Sequence, residues 1–346
     1  MEAADLLALL DAQQFRRLRV IENLLRGKKT VSTLYWGQRY RALYLVGLAK
    51  KLPRGALDAP AQALQERGFI VTGETPDQVR LTEKGLDAQR QATYFTPLTR
   101  ASWNQIDLMA ARERILLAVQ VVSQYAHAVK RYYPLATGTQ TRQAVRRWFY
   151  QQAHSNLSEQ MFDSLKESLN RLPTQVAEAV TALFTGYQQP GQTAAQLAQA
   201  WQYTPWEVTL MQLDGMMQIA LDARTTGPLT SLLRPTWQSP VTRSAQQTLA
   251  AVGQGRTLDQ IAAARGIKVN TAREHLLEAA ILLPLTRFPY DDILTAPIRQ
   301  AFAAALTGPI DSWQYTALPE ALQARYAFFY FRLYAIWCDK RGEQRA

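Results

Sequence analysis

The chain reads as a mainly α protein in three parts: an N-terminal winged-helix-like unit with a small β-hairpin, a helical middle region, and a C-terminal tri-helical helix-turn-helix domain. Three observations carry this reading. Apolar residues recur at three- and four-residue steps through most of the 346 residues; alternation at period two is confined to one short stretch; and residues 256–283 read as a helix, a tight turn and a second helix. The expected boundaries are 1–100, 101–236 and 237–346, with the reading motif at 257–282.

In the first part, helical spacing at Phe15, Leu18, Ile21, Leu24 and Leu25 ends at Gly27, and a further helix is expected over 33–50, before Pro53. A short helix over 57–66 follows. Residues 68–71 and 78–82 then alternate like strands around Gly73-Glu-Thr-Pro-Asp77, which predicts the hairpin. Arg26, Lys28 and Lys29 beside Gly27 are secondary phosphate-binding candidates, because cations and backbone N–H groups converge at such a turn. The spacing there is not that of a nucleotide-binding P-loop, and none occurs elsewhere in the chain.

The middle region opens with a helix over 109–130, broken by Pro134 and Gly138. Arg142, Arg146 and Arg147 are then interleaved with Trp148, Phe149 and Tyr150. Such a mixture can follow a nucleic-acid strand by phosphate contacts and ring stacking, or it can fill a core with rings and cover it with cations. Residues 193–215 form a degenerate helix-turn-helix. Thr193-Ala-Ala-Gln196-Leu197-Ala198 repeats Thr257-Leu-Asp-Gln260-Ile261-Ala262 at a spacing of 64 residues, but its second helix opens on Trp206 and Glu207 without a cation, which favours packing or partner binding.

In the third part, Ser239 and Pro240 are expected to open a helix running through Val252, closed by Gly253 and Gly255. Thr257 caps the next helix with Gln260 reaching back, and Gly266 supplies the left-handed residue of the turn. From Asn270 the second helix of the motif carries Ala272, Leu276 and Ala279 on one side and Asn270, Arg273 and Leu277 on the other. A helix so placed reads the major groove from its first turns.

Two segments carry a resemblance. Thr271-Ala-Arg-Glu-His275-Leu276, after Ile261-Ala262 and Arg265-Gly266, resembles the helix-turn-helix module at the C-termini of bacterial RecQ-type helicases and in their companions, the YpbB-like family; its tail is also similar to LuxR-type recognition helices. Leu25-Arg-Gly-Lys-Lys-Thr-Val-Ser-Thr-Leu34 resembles the Gly-Lys-Lys-Ser-x-Gln-Thr segment of YpbB-like proteins, with Ser32 in place of the glutamine. The resemblance implies that Lys268, Val269, Asn270, Arg273 and Glu274 face bases and Thr271 a phosphate. It also implies work beside a RecQ-family helicase in replication or repair. Where LuxR-like relatives have a capping serine, this chain has Lys268.

Composition agrees with a DNA partner. The formal charge is +11, residues 1–55 hold eleven Lys and Arg against four Asp and Glu, and residues 114–158 hold six basic residues and no acidic one. One cysteine, Cys338, points to a reducing compartment and excludes an internal disulfide. No signal-peptide pattern opens the chain, and the apolar run over 322–338 is interrupted by Arg325 and Arg332, so a buried helix is expected there and a cytoplasmic, nucleoid-associated protein overall. His127, His154 and His275 stand apart, without ligand spacing for a metal. No catalytic motif, metal or cofactor is expected, so the chain reads as a DNA-binding accessory protein and not an enzyme. A sequence-specific transcription regulator and a protein adaptor are the alternatives. Nothing in the residues speaks to the oligomeric state.

Overall fold

The computed structural model describes residues 1–152 and 156–342. In chain order it holds α1 (Ala3–Ala8), β1 (Arg16–Arg17), α2 (Leu18–Leu25), α3 (Val31–Arg39), α4 (Asp58–Glu66), β2 (Ile70–Thr72), β3 (Gln78–Leu81) and α5 (Glu83–Gln91). Next come α6 (Leu108–Ala126), α7 (Thr139–Tyr150), α8 (Leu157–Leu169), α9 (Thr174–Leu183), α10 (Ala194–Trp201), α11 (Pro205–Asp222) and α12 (Thr230–Leu233). The last are α13 (Arg243–Gly253), α14 (Leu258–Arg265), α15 (Val269–Leu282), α16 (Tyr290–Ile293), α17 (Ala296–Ala305), α18 (Glu320–Arg325) and α19 (Phe328–Arg341). The chain is mainly α, with one three-stranded sheet ordered β1-β3-β2 among the described residues. β1 is antiparallel to β3, with Arg16 opposite Val79 and Arg17 opposite Gln78.

Two compact units are built from alternating segments. The first takes residues 1–10, 57–71 and 81–239; the second takes 11–56, 72–80 and 240–346. Residues 1–100 contribute segments to both units, and residues 240–346 lie wholly in the second. The reason is non-local packing: α3 lies against α15, so the N-terminal basic segment belongs with the C-terminal helices.

In the first unit α11 is the central helix, packed on α6, α8, α9 and α10. Val208, Leu210, Leu213, Met216, Met217 and Ala220 are all buried, which leaves this helix no free recognition face. Gly215 allows the approach of α9, since a Cβ there would lie 2.2 Å from Val180 Cγ2. The Asp214 carboxylate is fully buried and accepts from the Leu98 and Thr99 amides, both at 2.8 Å, which holds that loop against the helix.

In the second unit the core joins Leu34 and Tyr35 of α3, Leu276, Leu277 and Ile281 of α15, Phe302 of α17, and Leu333, Tyr334 and Ile336 of α19. The run 322–338, expected as one buried helix, is divided between α18, which ends at Arg325 with no buried residue, and α19, which carries the buried part from Phe329 to Cys338; no described helix is long and apolar enough to cross a membrane. The helix expected over 33–50 is shorter. Arg41 adopts a left-handed φ of 55°, and the Ala42 N–H turns back to Gly37 O at 2.8 Å, closing α3 at Arg39. Buried Asp339 of α19 fastens α3, accepting from Gln38 Nε2 at 2.6 Å and from the Arg39 guanidinium.

Candidate nucleic-acid interface

Helices α13, α14 and α15 form the expected tri-helical motif. Thr257 and Gln260 make the capping box of α14, with the Gln260 N–H 3.3 Å from Thr257 Oγ1 and the Thr257 N–H 3.0 Å from Gln260 Oε1. Gly266 closes α14 at φ 62°, the conformation its lack of a Cβ permits. Ile261 and Ala262 of α14 and Ala272 and Leu276 of α15 are all buried, and α14 packs on α15.

The start of α13 differs from the expectation. Its cap is Thr242, whose Oγ1 accepts the Ala245 N–H at 3.3 Å, and Ser239-Pro240 lies outside the helix. Glu278 of α15 sets that point: its buried carboxylate accepts the Thr242 N–H at 2.6 Å and the Thr242 hydroxyl at 3.0 Å. A partner 36 residues away decides where the helix begins.

A polar cluster then locks the three helices. Arg265 of α14 donates to Ser244 O at 2.9 Å, to Ser244 Oγ at 2.7 Å and to the Thr248 hydroxyl of α13. That hydroxyl lies 2.9 Å from His275 Nδ1 of α15. Burial, and after it the Arg265 charge, push the His275 pKa below its usual value. Arg265, Glu278 and Thr248 were not among the expected site residues; the spacing of Arg265 at the end of α14 signals only a solvated helix terminus.

The expected recognition surface is the first two turns of α15. Lys268, Asn270 and Glu274 are exposed, while Val269, Thr271 and Arg273 are half-buried. Arg273 donates to Asn270 Oδ1 at 3.0 Å, so the two side chains form one polar edge, and its Nε has no partner among the described residues. Lys268 is the cap residue of α15 but makes no side-chain cap bond, and Thr271 and Ala272 donate instead to its backbone carbonyl at 3.0 and 3.2 Å. Leu277, expected on the outer face, is buried, because α3 and α19 pack over that side of α15. The open face ends before it.

The secondary candidates separate. Around Gly27 the backbone N–H groups are already used: Gly27 N donates to Leu24 O and Lys28 N to Asn23 O, both at 2.8 Å, closing α2. Those two amides are not available to a phosphate. Lys28 and Lys29 are exposed and Arg26 half-buried, and Lys29 Nζ lies 3.4 Å from Pro240 O. In the first unit, Arg142, Arg146 and Arg147 all lie on the exposed side of α7, with Tyr150 70% exposed beside Arg146. Trp148 faces the other way, buried and bonded through Nε1 to Pro228 O at 2.8 Å. The rings of this helix thus divide between core and surface. His154 lies outside the described residues.

The degenerate motif keeps its local geometry. Thr193–Gln196 and Thr204–Glu207 are both complete capping boxes, and Gln202 takes φ 60° at the position corresponding to Gly266. Its second helix is α11, the buried centre of the first unit. Among the described residues no group of His, Cys, Asp and Glu is arranged to hold a metal ion.

Comparison with known proteins agrees with this geometry. The chain is similar to Protein YpbB of Bacillus subtilis (strain 168), at 22% identity over 330 residues covering 90% of each chain. No solved structure matches it. Residues 244–335 match the family described as Helix-turn-helix domain, and the C-terminal part of this chain is a helix-turn-helix domain.

Proposed function

We propose that this protein binds duplex DNA through the first turns of α15 and acts as a non-enzymatic accessory to a RecQ-family helicase in replication or repair. The observation that carries the first half is the open polar edge of Lys268, Asn270, Arg273 and Glu274 on a rigid tri-helical core. The Val269 and Asn270 N–H groups at the start of α15, which no side chain caps, suit a backbone phosphate beside the Thr271 side chain. Arg142, Arg146 and Arg147 in the first unit, and Arg26, Lys28 and Lys29 in the second, supply further phosphate contacts without sequence preference. The β2–β3 hairpin serves as a wing, and the buried degenerate motif organises its own unit and touches no DNA. The helicase partnership is supported by the resemblance of both sequence segments to the YpbB-like pattern.

The test is fluorescence anisotropy with a labelled duplex at two salt concentrations. Affinity is expected to fall steeply with salt, and replacing Lys268 and Arg273 together by Ala is expected to weaken binding by about 1–3 kcal/mol. Unchanged duplex affinity in the double variant removes α15 from the interface. Co-purification with a RecQ-family helicase, lost or retained on removal of nucleic acid by nuclease, tests the partnership. A sequence-specific regulator is the second reading, favoured by Asn270 and Glu274, side chains suited to base edges; selection from random duplexes separates the two, since an accessory protein returns no consensus.

A further inference from the structure

A cleft of about 1050 Å³ opens within the second unit, lined by the 11–17 segment, α3 and the turn after it, Glu74 and Gln78, the 309–315 segment and α19, and by none of α13, α14 or α15. It exceeds the space that a drug-sized ligand needs. Five arginines face it, and they fall into two kinds. Arg16, Arg39 and Arg41 have carboxylate partners, respectively Asp11 at 3.7 Å, Asp311 at 2.7 Å together with Asp339, and Asp339 at 3.5 Å. Arg17 and Arg332 make no ion pair among the described residues, and they lie over adjacent rings, Trp36 and Tyr35, whose centres are 5.4 Å apart. Two neighbouring cations without a carboxylate partner attract an anion.

Both guanidinium groups are held by rings. Arg332 lies 3.7 Å from the centre of the Tyr35 ring and 5.0 Å from that of Phe328, and Arg17 lies 5.3 Å from that of Trp36. Stacking keeps the planar forks oriented for contact with a phosphate, and Arg332 also shares a hydrogen bond with the Tyr35 side chain. Phe328, at the first position of α19, remains 46% exposed beside them although Arg332, Tyr315 and Phe331 lie against its ring. A single phosphate would use the arginines and leave the exposed part of Phe328 unused, whereas a nucleotide uses both. A duplex presents its bases stacked inside and cannot lay one on a ring in a cleft.

We propose that this cleft holds a short stretch of unpaired nucleic-acid strand, one phosphate between Arg17 and Arg332 and a neighbouring base against Phe328. The proposal does not rest on the duplex-binding reading of α15. It adds a second site for the strand form that the first does not take, so that one chain can hold a junction between duplex and single strand.

The test uses the full chain and anisotropy of a labelled oligothymidine and of a labelled duplex of equal length. Arg17→Glu and Phe328→Ala, both at exposed positions, are each expected to weaken oligothymidine binding by about tenfold or more. Duplex affinity should stay within about twofold. The Lys268→Ala, Arg273→Ala double variant should do the reverse, so that failure of one site is told from failure of the other. Oligothymidine affinity unchanged in both Arg17→Glu and Phe328→Ala overturns the site. Thymidine monophosphate competing as well as oligothymidine, at equal nucleotide concentration, overturns the strand in favour of a free nucleotide, and equal competition by inorganic phosphate overturns base recognition.

Discussion

At position 202 a glutamine takes the backbone conformation that a glycine takes at 266, with φ 60° against 62°. A residue with a Cβ in that region is disfavoured by about 1–2 kcal/mol. Gln202→Gly is therefore expected to raise stability by about 1 kcal/mol in urea unfolding, and Gly266→Ala to lower it by a similar amount, although no atom lies within 4 Å of the added methyl. A reversed sign at either position would mean the turn is not left-handed. His275 makes a second prediction. Its folded pKa lies below the ordinary 6.5, so the unfolded chain binds more protons just below that pH and stability falls as the pH drops through it. His275→Gln should flatten this part of the stability curve between pH 7.5 and 5.5, relative to the parent chain. The caps at Thr257 and Gln260, and the glycine at 266, were legible because each is decided within four residues. Gln202 was not, since nothing local marks a glutamine as left-handed; the repeat of the surrounding pattern was the only sign.

Among elements, α15 concentrates competing demands. Its cap position holds a lysine, where serine would accept an N–H of the first turn. Lys268→Ser is expected to stabilise the protein by about 0.5–1 kcal/mol in thermal or urea unfolding and to weaken duplex binding in the same preparation. Both measurements moving down together would mean that Lys268 is structural. The inner face of the helix was readable from Ala272, Leu276 and Ala279, and its polar start from Lys268 and Asn270. The fate of Leu277 was not, because α3 and α19 cover it from far along the chain. The start of α13 follows the same logic. Ser239-Pro240 has the local signature of a helix opening, but Glu278 draws the cap to Thr242. Beside Gly27 the amides of residues 27 and 28 are taken up by α2 in its own termination, which leaves the side chains of Arg26, Lys28 and Lys29 as the phosphate-binding candidates. The arginine-lined cleft was illegible as a site: its residues sit in ordinary helical spacing at 35–41 and 328–332, and only folding brings them face to face.

For the whole molecule, helical content and the hairpin followed from periodicity, and the alternating assembly did not. A boundary at 236–237 suggests that residues 237–346 can stand alone, yet α3 completes their core with Leu34 and Tyr35. A fragment of residues 240–346 is expected to show helical circular dichroism but no cooperative unfolding transition; a sharp, two-state melt for that fragment would contradict the shared core. Construction by alternating segments also has a cost in time. Arg39 meets Asp339 only 300 residues later, so at about 5–20 residues per second a ribosome keeps them apart for on the order of 15–60 seconds. Throughout that interval Leu34 and Tyr35 wait without their neighbours, and the growing polypeptide offers chaperones a greasy, positively charged handle before the second unit can close.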